Sequence, residues 1–161
     1  MIEISPETIF ILVIAAVVLF LLAARTKDDN SKDDSVWLSS QKRKSPQDFE
    51  QLVGRCFSSD GWKVQQTPRG KDGGVDLWIE RRGTKAVVQC KRYKGSVGVK
   101  AVRELYAVIR ESRAKQGYLV TTGSFSGDAK RFAANKKSIV FVDGKCLERW
   151  HKSSQPLERL L

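Results

Sequence analysis

Histidine and cysteine are scarce in this chain of 161 residues, with one of the first and three of the second. The cysteines, Cys56, Cys90 and Cys146, are odd in number and far apart. That excludes a complete disulfide framework and any C-x-x-C zinc or redox motif, and a reducing compartment suits such thiols. Proline (4) and glycine (12) are few and aperiodic, so the chain is neither collagen-like nor repetitive. Its glycine-rich stretch, Arg69-Gly70-Lys71-Asp72-Gly73-Gly74, lacks the Gly-Lys-Ser/Thr ending of a P-loop. The one histidine, His151, lies near the C-terminus and is set aside as a catalytic group. What is present is 41% hydrophobic and 29% charged residues, the content of a folded domain rather than a disordered chain.

Charge and apolarity are unevenly placed. Residues 1–44 carry six basic and six acidic groups, so the whole net charge of +11 falls on residues 45–161. A compact basic domain implies an anionic partner, nucleic acid or an anionic membrane surface. Ile9 to Ala24 is an uninterrupted apolar run of sixteen residues. As a helix it reaches about 24 Å, a little short of the roughly 30 Å hydrocarbon core, and the stem of Arg25 can extend it. The preceding residues 1–8 contain Glu3 and Glu7 but no basic group, unlike a signal peptide. A single retained transmembrane helix over 9–24 is therefore expected. Arg25, Lys27 and Lys32 follow the run closely, which places the basic domain on the cytoplasmic side of the cell inner membrane. Residues 25–44 read as a polar linker, with Val36-Trp37-Leu38 as an apolar island that rests on the membrane interface or docks on the domain. Residues 151–161 read as a tail.

Between them, 45–150 reads as one α/β domain. Ser45-Pro46-Gln47-Asp48 is a helix start, and Phe49, Leu52, Val53, Cys56 and Phe57 form one apolar helical face. Strands are expected over Trp62–Thr67, Val75–Glu80 and Lys85–Lys91, the last two joined by a Gly83-containing hairpin turn. A helix over Val97–Lys115, a strand over Tyr118–Thr122, a helix from Ser126 to Asn135, a strand over Ile139–Val142 and a short helix around Leu147 and Trp150 complete the order. Helices between apolar strands imply parallel crossovers, and the hairpin implies antiparallel pairing. The expected fold is a mixed β-sheet flanked by helices.

The chemistry gathers on the hairpin. Gln89 and Lys91 share one strand face, opposite Ala86, Val88 and Cys90. If the turn centres on Arg82-Gly83, paired residues sum to 165 and Asp76 stands opposite Gln89. One carboxylate, one amide and one ammonium then meet at the open end of the hairpin. That set suits phosphodiester hydrolysis. Asp76 can hold Mg²⁺, with Gln89 offering a carbonyl oxygen. Lys91 can orient water or neutralise charge on the phosphate. Glu50, beside the apolar face of the first helix, can add a second carboxylate. The loop residues Arg69 and Lys71, and Arg92 and Lys94 beside the site, are candidate phosphate contacts. Thr122 and Ser124, before a helix start, are a candidate anion site.

Phe49-Glu50-x-Leu-Val-Gly, Gly61-Trp62-x-Val, Asp72-Gly73-Gly74-Val75-Asp76-Leu77, Val88-Gln89-Cys90-Lys91-Arg92-Tyr93 and Val120-Thr121-Thr122-Gly123-Ser124-Phe125 together resemble the Mrr-like restriction endonuclease domain, over about residues 45–145. That is a branch of the PD-(D/E)xK nucleases with QxK in place of ExK. The resemblance implies an αβββαβ core, catalytic Asp76, Gln89 and Lys91 with Glu50 as the helix acid, Mg²⁺ or Mn²⁺ as cofactor, and DNA as substrate, foreign or modified. Two other readings share the core: a DNA-binding module that cuts nothing, and a structure-specific nuclease of the Holliday-junction-resolvase kind. A homodimer is a further partner left open by the sequence.

Overall fold

The computed structural model describes residues 15–16, 36–68, 74–153 and 155–161. The expected span over 9–24, apart from Ala15 and Ala16, and the loop carrying Arg69 and Lys71 lie outside the described residues. Among the described residues no helix is long and apolar enough to cross a membrane. The chain divides at Trp37, and Leu38–Leu161 forms one compact unit.

That unit opens within a helical turn over 36–41 (α1) and continues into α2, Pro46–Ser59. The start of α2 follows from its sequence. Ser45 Oγ accepts from the Asp48 N–H at 3.1 Å, and the Asp48 carboxylate accepts from the Ser45 N–H at 3.2 Å, a reciprocal capping box with Pro46 in the first turn. Its apolar stripe, Phe49, Leu52, Val53, Cys56 and Phe57, is buried. The helix stops at Asp60, where Gly61 turns the chain with φ +80°.

Strands β1 (Lys63–Gln66), β2 (Leu77–Arg81) and β3 (Thr84–Lys91) form an antiparallel meander. Arg82 and Gly83 both have positive φ, 50° and 74°, the backbone a two-residue hairpin turn requires. Leu77 pairs with Val88, Ile79 with Ala86 and Arg81 with Thr84, so every pair sums to 165 and the expected register holds. The chain then adds β5 (Gln116–Thr121) parallel to β3 through α3 (Val99–Ser112), and β7 (Ile139–Val142) parallel to β5 through α4 (Gly127–Ala133). The sheet order is β1-β2-β3-β5-β7.

Ala86, Val87 and Val88 are all fully buried, so β3 is covered on both faces and not on one as the alternation suggested. On one side lie α2 and α5 (Gly144–Lys152), whose Phe57 and Trp150 rings meet edge to face at 4.8 Å above Tyr118 of β5. On the other, α3 and α4 bury Val102, Leu105, Ile109 and Ala129 with Val87 and Leu119. A central strand sandwiched this way reads as a continuous apolar run.

Three features depart from expectation. A second, two-stranded parallel sheet pairs β4 (Ser96–Val97) with β6 (Ser124–Phe125). Two-residue strands carry no periodicity to read. The C-terminal part of the expected linker folds back, with Leu38 against Gly144 as the docking alternative for that island has it, and beyond it Gln41 is buried and the Lys42 carbonyl accepts from Arg92 Nη1 at 2.6 Å. The expected tail is also docked. Leu157 is buried in a short 3₁₀ turn, Leu157–Arg159, and Glu158 pairs with Arg81. Asp60 Oδ2 accepts from Trp150 Nε1 at 3.0 Å and from the Leu157 N–H at 2.8 Å.

Candidate active site

Asp76 sits one residue before β2, where the hairpin strands are parting. Its N–H still donates to the Val88 carbonyl at 2.9 Å. Its side chain replaces the next ladder bond: Oδ2 accepts from the Cys90 N–H at 2.6 Å. The carboxylate is thereby fixed in the plane of the sheet. Burial holds its pKa above the ordinary carboxylate value, opposed by the Cys90 N–H and by Lys91. A half-buried acid in that position gains from a cation brought beside it.

Gln89 is 2% exposed, and its Oε1 has no hydrogen-bond partner. A buried amide oxygen without a donor costs about 1–3 kcal/mol and calls for a ligand. The amide is wedged from behind. A Cβ at Gly74 would stand 2.9 Å from Gln89 Nε2, and Gly74 has φ +91°. Only glycine fits that turn without moving Gln89.

Lys91 ends β3. Its carbonyl accepts from Thr121 Oγ1 at 2.6 Å, across the parallel pairing of Lys91 with Thr121. Thr121, part of the 121–124 stretch read as a candidate anion site, is fully buried, and its hydroxyl is spent on that carbonyl, a contact that parallel register leaves without a local pattern. Glu50 approaches from α2. Burial raises the Cys90 thiol well above its ordinary value, and the Asp76 and Glu50 carboxylates add to the shift while Lys91 opposes it. The charges of Asp76, Glu50 and Lys91 are thus all felt at Cys90.

The remaining candidates divide. Arg92 is half-buried and tied through Nη1 to Lys42, so its guanidinium fastens the 42–44 segment to the sheet. Thr122 is buried and donates to the Tyr93 carbonyl at 3.0 Å. Its hydroxyl joins two loops. Ser124 and Lys94 are exposed and line one cavity. Helix α4 is separated from Ser124 by its own cap, Ser126, whose Oγ accepts from the Ala129 N–H. His151 lies on α5, beside a different cavity with Arg55 and Asp60.

Among the described residues no three His, Cys, Asp or Glu side chains converge on a metal position. The donors present are oxygens: the Asp76 carboxylate and the orphaned Gln89 Oε1. They fit Mg²⁺ or Mn²⁺, hard ions that accept few protein oxygens and keep several waters.

A five-stranded mixed sheet between helix layers, with an acid and a lysine at the open end of its central hairpin, defines the restriction-endonuclease class of fold. Solved structures carry the same architecture. The MspJI restriction endonuclease in complex with a 27-mer oligonucleotide superposes with a TM-score of 0.60 at 23% identity, over 79% of this chain and 34% of that one. The DNA modification-dependent restriction endonuclease AspBHI gives 0.63 at 18% identity, over 80% and 40%. Residues 42–151 match the restriction endonuclease family Mrr_cat, and the chain belongs to that family. The type IV methyl-directed restriction enzyme EcoKMrr of Escherichia coli (strain K12) is 31% identical over 111 residues, 64% of this chain and 36% of the enzyme. The chain spans about a third of that relative's length.

Proposed function

We propose that this protein is a membrane-tethered, metal-dependent DNA endonuclease that hydrolyses phosphodiester bonds. The observation that carries the reading is the orphaned, buried Gln89 Oε1, one residue along β3 from the Cys90 N–H that holds the Asp76 carboxylate. Asp76 and Gln89 are the residues that would hold Mg²⁺ or Mn²⁺. A bound divalent ion supplies Lewis-acid polarisation of the phosphoryl oxygen and acidifies a water. The Cys90 N–H keeps Asp76 aimed while its negative charge is used for binding. Lys91, anchored through its carbonyl by Thr121, presents an ammonium to the charge that grows on the phosphate. Glu50, on α2, would take a proton or a water contact from that side. The +11 net charge supports an anionic polymer as substrate, and family membership supports DNA. Kinship with a methyl-directed restriction enzyme supports restriction of foreign or modified DNA as the role.

Tethering is supported by the uncharged run Ile9–Ala24 and the basic residues after it, which favour a single pass in the inner membrane with the nuclease domain in the cytoplasm. The deciding experiment is cleavage of plain, methylated and branched DNA by the full chain with and without Mg²⁺ or Mn²⁺, beside Asp76→Ala. Metal-dependent cutting lost in the variant supports the reading. Binding without cutting makes the protein a DNA-binding module, and cutting of branched DNA alone makes it a structure-specific nuclease.

A further inference from the structure

At the edge of the sheet where β3, β5 and β7 end, three short loops meet around a cavity of about 410 Å³. Residues 94–96, 122–124 and 143–145 each bring a glycine to it: Gly95, Gly123 and Gly144. The loops are packed backbone to backbone. A Cβ at Gly123 would run into the Gly95 carbonyl, and one at Gly144 would stand 2.6 Å from the Thr122 carbonyl. Ser124 N donates to the Gly95 carbonyl at 3.2 Å and Gly144 N to the Gly123 carbonyl at 2.9 Å. The cavity wall is thus fixed backbone, and the charge comes from three lysines, Lys42, Lys94 and Lys145. One carboxylate lines it, Asp143, and that group is engaged as the cap of α5, accepting from the Cys146 N–H at 2.8 Å.

Lys42 comes from the segment read in sequence as linker. Its backbone is held by Arg92, the residue next to Lys91. Lys94 follows Lys91 by three residues, a reach of at most about 11 Å along the chain. The cavity therefore opens on the same sheet edge as the candidate active site.

The geometry points to this cavity as a backbone-phosphate pocket that seats the DNA strand next to the bond to be cut, with Lys42, Lys94 and Lys145 as its cationic contacts. This inference rests on the nuclease reading above. It adds two residues that no motif marks, Lys42 and Lys145. It also makes the 38–44 segment part of the DNA surface. A phosphate there fixes register along the strand without reading sequence. Each lysine that neutralises a phosphate releases counterions, so its removal shows in the salt dependence.

The test is binding of the full chain, in detergent, to a labelled duplex, to a single strand of the same sequence and to inorganic phosphate, across about 50 to 200 mM salt. The double variant Lys94→Gln/Lys145→Gln is compared with Lys85→Gln/Lys115→Gln, exposed lysines where β3 and β5 begin, at the opposite sheet edge. The pocket variant should weaken duplex binding at least tenfold at the low end of the range and lower the log–log salt slope by about one to two. The control should lower both less. Equal losses in the two variants, or wild-type slope in the pocket variant, overturn the pocket and leave the nuclease reading intact. Binding of inorganic phosphate without DNA overturns the assignment to a strand. Pocket-dependent binding of DNA that no metal converts to cleavage supports the pocket and sinks the nuclease reading instead.

Discussion

At the residue scale the site depends on fixed groups, and each can be removed separately. Asp76→Ala and Lys91→Ala are each expected to abolish cleavage, by at least about a hundredfold, as loss of a charge-stabilising group commonly does. The two should differ in metal binding. Asp76→Ala should weaken Mn²⁺ affinity in a titration, while Lys91→Ala should leave it nearly intact. Equal metal binding in both would remove Asp76 from the ligand set. Gln89→Glu adds a charge where an unpartnered oxygen now sits, and should keep metal binding with at least partial activity. Gly74→Ala tests the wedge behind that oxygen. The new methyl meets Gln89 Nε2 at 2.9 Å on a backbone with φ +91°. The strain is about 1–2 kcal/mol. A modest fall in Tm with a larger fall in metal affinity is expected. A fall in Tm alone would show that Gln89 does not serve the metal.

At the element scale, legibility followed signal length. The helices Pro46–Ser59 and Val99–Ser112 could be read because each repeats an apolar face over several turns. The hairpin register over Leu77–Arg81 could be read because a two-residue turn fixes it; the expected pairing of Asp76 with Gln89 lies one step beyond that ladder, where the Asp76 N–H turns to the Val88 carbonyl instead. The Lys91–Thr121 pairing could not, since parallel strands meet through a crossover that leaves no local mark. Gln41 was hidden for another reason: it is one buried residue in a polar segment, and a single anchor has no period. The C-terminal anchor is nonetheless consequential. Asp60 Oδ2 receives both Trp150 Nε1 and the Leu157 N–H, so it joins the end of α2 to α5 and to the last turn. Asp60→Ala should destabilise the domain by about 2–3 kcal/mol, because two donors lose one acceptor. Asp60→Asn keeps an oxygen and should cost less. Denaturant unfolding of the two variants decides; wild-type stability in both would mean the Asp60 acceptor contributes nothing.

At the scale of the whole molecule, the proposed tether implies two attractions to a membrane that must be separated. The domain carries all of the +11 charge, and cytoplasmic leaflets are anionic, so residues 45–161 alone would adhere to them at low salt. The run Ile9–Ala24 offers the second attraction, apolar and insensitive to salt. A tether of this kind would hold the nuclease at the membrane under ionic conditions that release it from phosphates. The full chain is therefore expected to resist both high-salt and alkaline carbonate washes and to leave the membrane only in detergent. Ile14→Asp/Val18→Arg places two charges at the centre of the run, at about 2.5–3.5 kcal/mol each for insertion. That variant should become salt-extractable, with its metal-dependent cleavage unchanged. Protease added outside intact cells should leave the domain uncut. Release of the unaltered chain by salt or carbonate would make its membrane contact electrostatic, and digestion from outside would reverse the orientation.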